Sequence, residues 1–171
     1  MVLDGIISIF QSIIADYSYI GLFVVSFLSS ATVFLPMPLY VLIFFSTSLG
    51  LNPLLVGLIG GIGSGLGEVI GYGVGVGGRK VFSKKIKHVS KHVKKAKELF
   101  KKYGFWAIII IIILPLPDDI AGVVAGIIGY DIKKFLLAAI IGKILTILLI
   151  AYAGQISIPL IQQFTALIAY V

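Results

Sequence analysis

The chain has 171 residues, of which 59% are hydrophobic and 12% charged, and its mean hydropathy is +1.13. A soluble domain carries about a quarter charged residues, so the composition excludes an ordinary soluble protein and predicts one all-α integral membrane unit over residues 1–171. There is no cysteine, which removes disulfides and thiolate-bound metals.

The net charge of +7 is concentrated in one place. Eleven of the fourteen basic residues lie between Arg79 and Lys102. In a soluble chain such a cluster would suggest nucleic acid. In this one the expected partner is a membrane lipid surface, especially anionic head groups on the cytoplasmic side, and no nucleic acid. The first residues, Met1-Val2-Leu3-Asp4, lack a basic signal-peptide region and read as mature chain.

Residues 3–15 are apolar but too short to span, and fit either the interface or a steep partial crossing. An apolar run from Tyr19 to Leu35 ends at Pro36-Met37-Pro38, and a second from Leu39 to Leu49 is closed by Gly50-Leu51-Asn52-Pro53. Proline donates no backbone hydrogen bond and pushes the preceding residue out of helical geometry. The pair therefore predicts a helix, a break at Pro36 and Pro38, and a half-helix that returns to the same face. Irregular backbone at membrane depth must be covered by protein or line a polar cavity.

Residues 53–77 are long enough to span. Gly57, Gly61 and Gly65, and again Gly63, Gly67, Gly71 and Gly75, stand four apart and form a groove for a neighbouring backbone. Glu68 sits within it. Residues 80–102 read as a basic amphipathic surface helix, with Phe82, Ile86, Val89, Val93, Ala96, Phe100 and Tyr103 on one stripe. Lys84, Lys87, Lys91 and Lys94 on its other faces are the candidate lipid-surface contacts. His88 and His92 are one turn apart without a third ligand nearby, and read as solvated rather than metal-binding.

Residues 103–129 repeat the earlier pattern, with an apolar run, a break at Pro115 and Pro117, and a half-helix 118–128 closed by Gly129. Residues 132–153 form a second spanning segment with Lys143 near its centre, and residues 156–171 a last short helix.

Setting position n against n+79 aligns Pro36 with Pro115, Pro38 with Pro117, Gly50 with Gly129, Gly63 with Gly142 and Gly75 with Gly154, without a gap. The expected organisation is repeat one over about 17–77, the basic helix 80–102, and repeat two over about 103–154. With residues 79–102 cytoplasmic, the two hairpins enter from opposite faces and the repeats are inverted. The same topology places Lys133 and Lys134 inside, as the positive-inside rule prefers. Inverted repeats of this kind put a site at the midplane between the breaks.

Four charges fall in apolar territory: Glu68, Asp118, Asp119 and Lys143. Each costs at least about 2.5–3.5 kcal/mol in a bilayer span. Two readings stand. The aspartates open a half-helix and suit its N-terminal dipole, with Lys143 as counter-charge; or the four form a transport and proton-coupling site. No nucleophile–base pair or metal cluster points to an enzyme, and no cofactor is implied.

The run Gly63-Ser64-Gly65-Leu66-Gly67-Glu68-Val69-Ile70-Gly71-Tyr72-Gly73-Val74-Gly75 resembles the DedA superfamily (VTT or SNARE-associated domain). Lys102-Tyr103-Gly104, Pro115-Leu116-Pro117-Asp118-Asp119, Ala121-Gly122 and Gly142-Lys143 resemble its second half, in an archaeal or YqaA-like branch. The resemblance covers about residues 19–154. It implies two opposed re-entrant hairpins in a multi-pass protein of the plasma membrane that moves a polyprenyl-phosphate carrier or a phospholipid as a flippase or scramblase, with proton coupling. The family's acidic residue after the first prolines is replaced by Leu39 and Tyr40, and its two arginines fall near Ile112 and Asp118. An ion- or proton-coupled exporter of a small solute and a non-transporting scaffold are the alternatives, with homo-oligomerisation open in each case.

Overall fold

The computed structural model describes residues 19–32, 39–48, 50–82, 90–113 and 119–168. Regular structure among them is helical: α1 (Tyr19–Ala31), α2 (Leu39–Ser48), α3 (Pro53–Phe82), α4 (Ser90–Ile113), α5 (Asp119–Ile128) and α6 (Ile132–Ile168). Pro36, Pro38, Pro115 and Pro117 lie outside the described residues.

Two turns set the path of the chain, and they have the same construction. Gly50 and Gly129 take positive φ values of 103° and 70°, a region open to glycine without steric cost. At the first, Gly50 N–H donates to Thr47 O and Leu51 N–H to Ser46 O, at 3.1 and 3.2 Å. At the second, Gly129 N–H donates to Gly126 O and Tyr130 N–H to Ala125 O, at 3.2 and 3.0 Å. This is the paired closure of a helix C-terminus by a left-handed residue. The next helix starts on a side-chain cap. Asn52 Oδ1 accepts from Leu54 and Leu55 N–H, and Asp131 Oδ1 accepts from Lys134 N–H. Each closure bond of the first turn has its counterpart 79 residues later.

The long helices cross through glycine. A Cβ at Gly61 would stand 2.6 Å from Ile144 Cα, and one at Gly65 would stand 2.7 Å from Ile140 Cα. As the number rises on α3 it falls on α6, so the two helices run antiparallel. Gly63 and Gly67 face the carbonyls of Phe23 and Phe27 on α1 at 2.6 and 2.5 Å from an added Cβ. Here both numbers rise together, so α1 runs parallel to α3.

Each short helix packs mainly on the long helix of the other half, α5 on α3 and α2 on α6. An added Cβ at Gly75 would collide with Val123 O and approach Gly126, and one at Gly154 would collide with Phe44 O and Thr47 Oγ1. These contacts exchange under the 79-residue offset, since 75, 44 and 47 become 154, 123 and 126.

Residues Pro53–Arg79 of α3 and Ile132–Ser157 of α6 are long and apolar enough to cross a membrane; α1 and α2 are apolar but shorter. Ile20, Phe45, Leu54, Ile110 and Leu149, on five different helices, expose large apolar side chains, as the outer surface of a membrane-embedded bundle does. By contrast, none of the side chains from Ala121 to Ile128 on α5 is exposed. That short helix is largely covered by protein.

Two expected boundaries differ. Within the segment 80–102, α3 extends to Phe82, residues 83–89 lie outside the described residues, and α4 carries Ser90–Ile113 through the change from basic to apolar sequence. A change of polarity leaves the backbone hydrogen-bond ladder intact, so it marks a change of surroundings rather than a helix end. Likewise residues 156–168 continue α6. Pro159 removes one ladder donor, and the Ser157 hydroxyl donates to Gly154 O at 2.7 Å just before it, a local adjustment that spanning helices accommodate.

The crossing makes a direct prediction. Gly65→Leu would force the α3 and α6 backbones apart and lower stability by about 1–3 kcal/mol or more. Gly73→Ala, where a Cβ meets nothing within 4 Å, would raise it by about 0.5–1 kcal/mol. Thermal unfolding in detergent checks both; equal effects at the two sites would contradict close backbone packing.

Candidate functional site

At the α3–α6 crossing, Lys143 Nζ lies 3.0 Å from Glu68 Oε1, and both side chains are buried at 3% and 1% exposure. The position follows from the glycine packing. Ile140 and Ile144 sit on Gly65 and Gly61, which turns Lys143, between them in sequence, toward α3. Glu68 lies one turn beyond Ser64 and Gly65. α5 passes over it: a Cβ at Gly122 would be 3.0 Å from Glu68 O and 3.3 Å from Glu68 Oε2. Any larger residue at position 122 would press on the carboxylate.

A file of hydroxyls leads to this pair. Ser30 and Ser64 share a short buried hydrogen bond between α1 and α3. Ser26 is fully buried one turn earlier on α1, beside Gly60, whose added Cβ would stand 3.3 Å from its Oγ. Its hydroxyl has no hydrogen-bond partner among the described residues. Ser26 and Ser30 are four apart on α1, and Ser64 and Glu68 four apart on α3. These spacings stack the groups on one face of each helix and set buried hydroxyls among apolar walls. The walls are Leu22, Val25, Val56 and Ile147 at one end and Ile108, Ile112, Ala121 and Ala139 at the other.

The site residues expected from sequence are therefore placed unevenly. Glu68 and Lys143 are brought together. Asp119 is the first residue of α5, three residues before Gly122. Asp118, Lys84 and Lys87 lie outside the described residues, and Lys91 and Lys94 fall in the first turns of α4. The serines escaped the sequence reading, although the spacing of Ser26 and Ser30, and of Ser64 and Glu68, held the signal. Among the described residues no three His, Asp or Glu side chains are grouped to hold a metal ion.

A second polar feature lies where the α5–α6 turn meets the side of α4. A groove of about 600 Å³ is bounded by Lys102–Trp106 of α4, the Ile128–Asp131 turn and Lys134. Arg79, at the end of the apolar part of α3, reaches across Gly129, where an added Cβ would stand 2.7 Å from its Nη1. Burial, and then the Asp131 carboxylate, push the Tyr130 phenol above its ordinary pKa. It therefore keeps its proton at neutral pH.

The fold is a helical bundle with a charged centre and two helices long and apolar enough to cross a membrane. The VTT domain matches the sequence over residues 32–156. The chain belongs to the VTT (DedA/SNARE-associated) family of membrane-associated proteins, generally non-enzymatic and linked to membrane transport or lipid-related function. No curated protein and no solved structure matches it.

Removing one member of a buried ion pair strands the other and costs about 3–5 kcal/mol, whereas replacing both with apolar residues is often neutral or stabilising. Glu68→Leu is thus expected to lower the unfolding midpoint strongly, and Glu68→Leu with Lys143→Met to restore most of it. Denaturant titration in micelles would show this; a double variant as unstable as the single would mean that the two charges are not coupled.

Proposed function

We propose that the protein is a membrane lipid translocator, a flippase or scramblase for a polyprenyl-phosphate carrier or a phospholipid, built from two inverted halves with opposed re-entrant hairpins. The Glu68–Lys143 pair carries this reading. A bilayer protein bears the insertion cost of two ionised groups at one helix crossing, where two apolar residues would pack at least as well. An exchangeable pair repays that cost by serving a charged substrate.

The exchange conserves charge. Lys143 Nζ releases Glu68 Oε1 and takes a phosphate oxygen of the head group. Glu68, left without its cation, binds a proton, and gives it up again when the phosphate departs and Lys143 returns. One proton then accompanies each anionic head group, and no uncompensated charge stands in the low-dielectric interior. The hydroxyls of Ser26, Ser30 and Ser64 supply hydrogen-bonding partners along the approach. Asp118 and Asp119, at the opening of the α5 half, are placed by sequence to relay or hold that proton. The end bearing Arg79, Lys102 and Lys134 faces the cytoplasm in this arrangement.

Transbilayer movement of a fluorescent phospholipid in proteoliposomes, read by dithionite quenching from outside, tests the proposal. Wild-type protein is expected to expose the inner-leaflet probe, faster with a proton gradient. The Glu68→Leu, Lys143→Met double variant, which keeps its fold, is expected to lose at least tenfold in rate. Equal rates for the two proteins, or no lipid movement by the wild type under any gradient, would overturn it. Proton uptake without lipid movement would favour the ion-coupled exporter.

A further inference from the structure

We infer that the groove between α4 and the α5–α6 turn is a docking site for the phosphate of an anionic phospholipid, separate from the buried pair and independent of whether lipid is moved there. Its charge is one-sided. Lys102, whose ammonium lies over the Tyr103 ring, and Lys134 line it, and Arg79 reaches the neighbouring Gly129, against the carboxylate of Asp131 among the described lining residues. That carboxylate is already engaged in capping Lys134 N–H at 2.9 Å.

The frame is fixed before any ligand arrives. Tyr72 Oη donates to Tyr130 O at 2.6 Å, and the Tyr130 ring fills the space over Gly104, where an added Cβ would stand 2.6 Å from it. Because the phenol stays protonated, the floor presents no second anion to repel phosphate.

The repeat supplies an internal control. The Asn52 turn has the same closure and the same cap as the Asp131 turn, yet Leu54 and Leu55 stand where the later turn has Lys133 and Lys134. The turn therefore forms without cations, and the lysines serve something other than its geometry.

A lipid fits better than a free anion because the groove opens onto an apolar track. Tyr103, Trp106 and Ile110 recur at helical spacing on α4 and are 51%, 67% and 57% exposed. Tyrosine and tryptophan favour the head-group level of a bilayer, and Ile110 continues one turn deeper. A phosphate held by Lys102, Lys134 and Arg79 would lay its acyl chain along this strip.

Trp106 is the only tryptophan in the chain, so its fluorescence reports on this groove alone. Full-length protein is reconstituted into vesicles in which either brominated phosphatidylglycerol or brominated phosphatidylcholine is the quencher. Preferential quenching by the anionic lipid is expected. Each basic residue near an anionic surface contributes roughly a fivefold preference. Lys102→Gln with Lys134→Leu, the latter copying the earlier turn, should therefore remove most of the selectivity while leaving the unfolding midpoint unchanged. Equal quenching by the two lipids in the wild type would overturn the proposal, as would undiminished selectivity in a folded double variant. Loss of the preference on adding millimolar inorganic phosphate would show that the site takes the free anion rather than a lipid.

Discussion

The close approach of α3 and α6 is the constraint on which the rest of the molecule depends. Antiparallel helices whose backbones nearly touch need residues without side chains at the crossing, and Gly61 and Gly65 meet that need against Ile144 and Ile140. Once the backbones are this close, the neighbouring positions have little freedom. Glu68 and Lys143 cannot turn toward lipid without unwinding the crossing, so they meet at 3.0 Å. The short helices then cover what remains, each against the long helix of the other half.

This interlocking explains why a charged pair can exist in so apolar a chain. α5 lies over Glu68 through Gly122 and over Tyr72 through Gly126, which keeps lipid away from the carboxylate. The Ser30 and Ser64 hydroxyls, bonded to each other, lie one turn before Glu68 along α3. A ten-residue helix is too short to cross a bilayer, and its packing on α3 makes it a cover for the ion pair. Its two ends are held differently. The closed turn at Gly129 is anchored by backbone bonds, while Asp119 opens the helix three residues before Gly122.

Much of this was legible in the sequence because the signals were of backbone type. Glycines four apart announced a close crossing, and the recurrence of Gly50 as Gly129 announced two equal turns; both are visible in the structure. Glu68 and Lys143 stood out because charge is rare in an apolar run. The serines did not, since a hydroxyl carries no charge and fits a spanning helix by bonding to its own backbone, so only the neighbour on another helix gives it meaning. The extent of α4 and α6 is not legible for a different reason: a change of polarity marks new surroundings, whereas helices end where the hydrogen-bond ladder fails. The groove was illegible because Arg79, Lys102 and Lys134 belong to three helices and only packing brings them together.

The central claim is that the two equal turns lie on opposite faces of the membrane. The chain has no cysteine, so a single introduced thiol is an unambiguous reporter. Leu54 and Lys133 occupy matching exposed positions in the turns, 79 residues apart. Labelling intact cells with a membrane-impermeant maleimide should modify Leu54→Cys directly and Lys133→Cys only after permeabilisation. Modification of both from the same side would contradict the inverted arrangement and, with it, the path proposed through the buried pair.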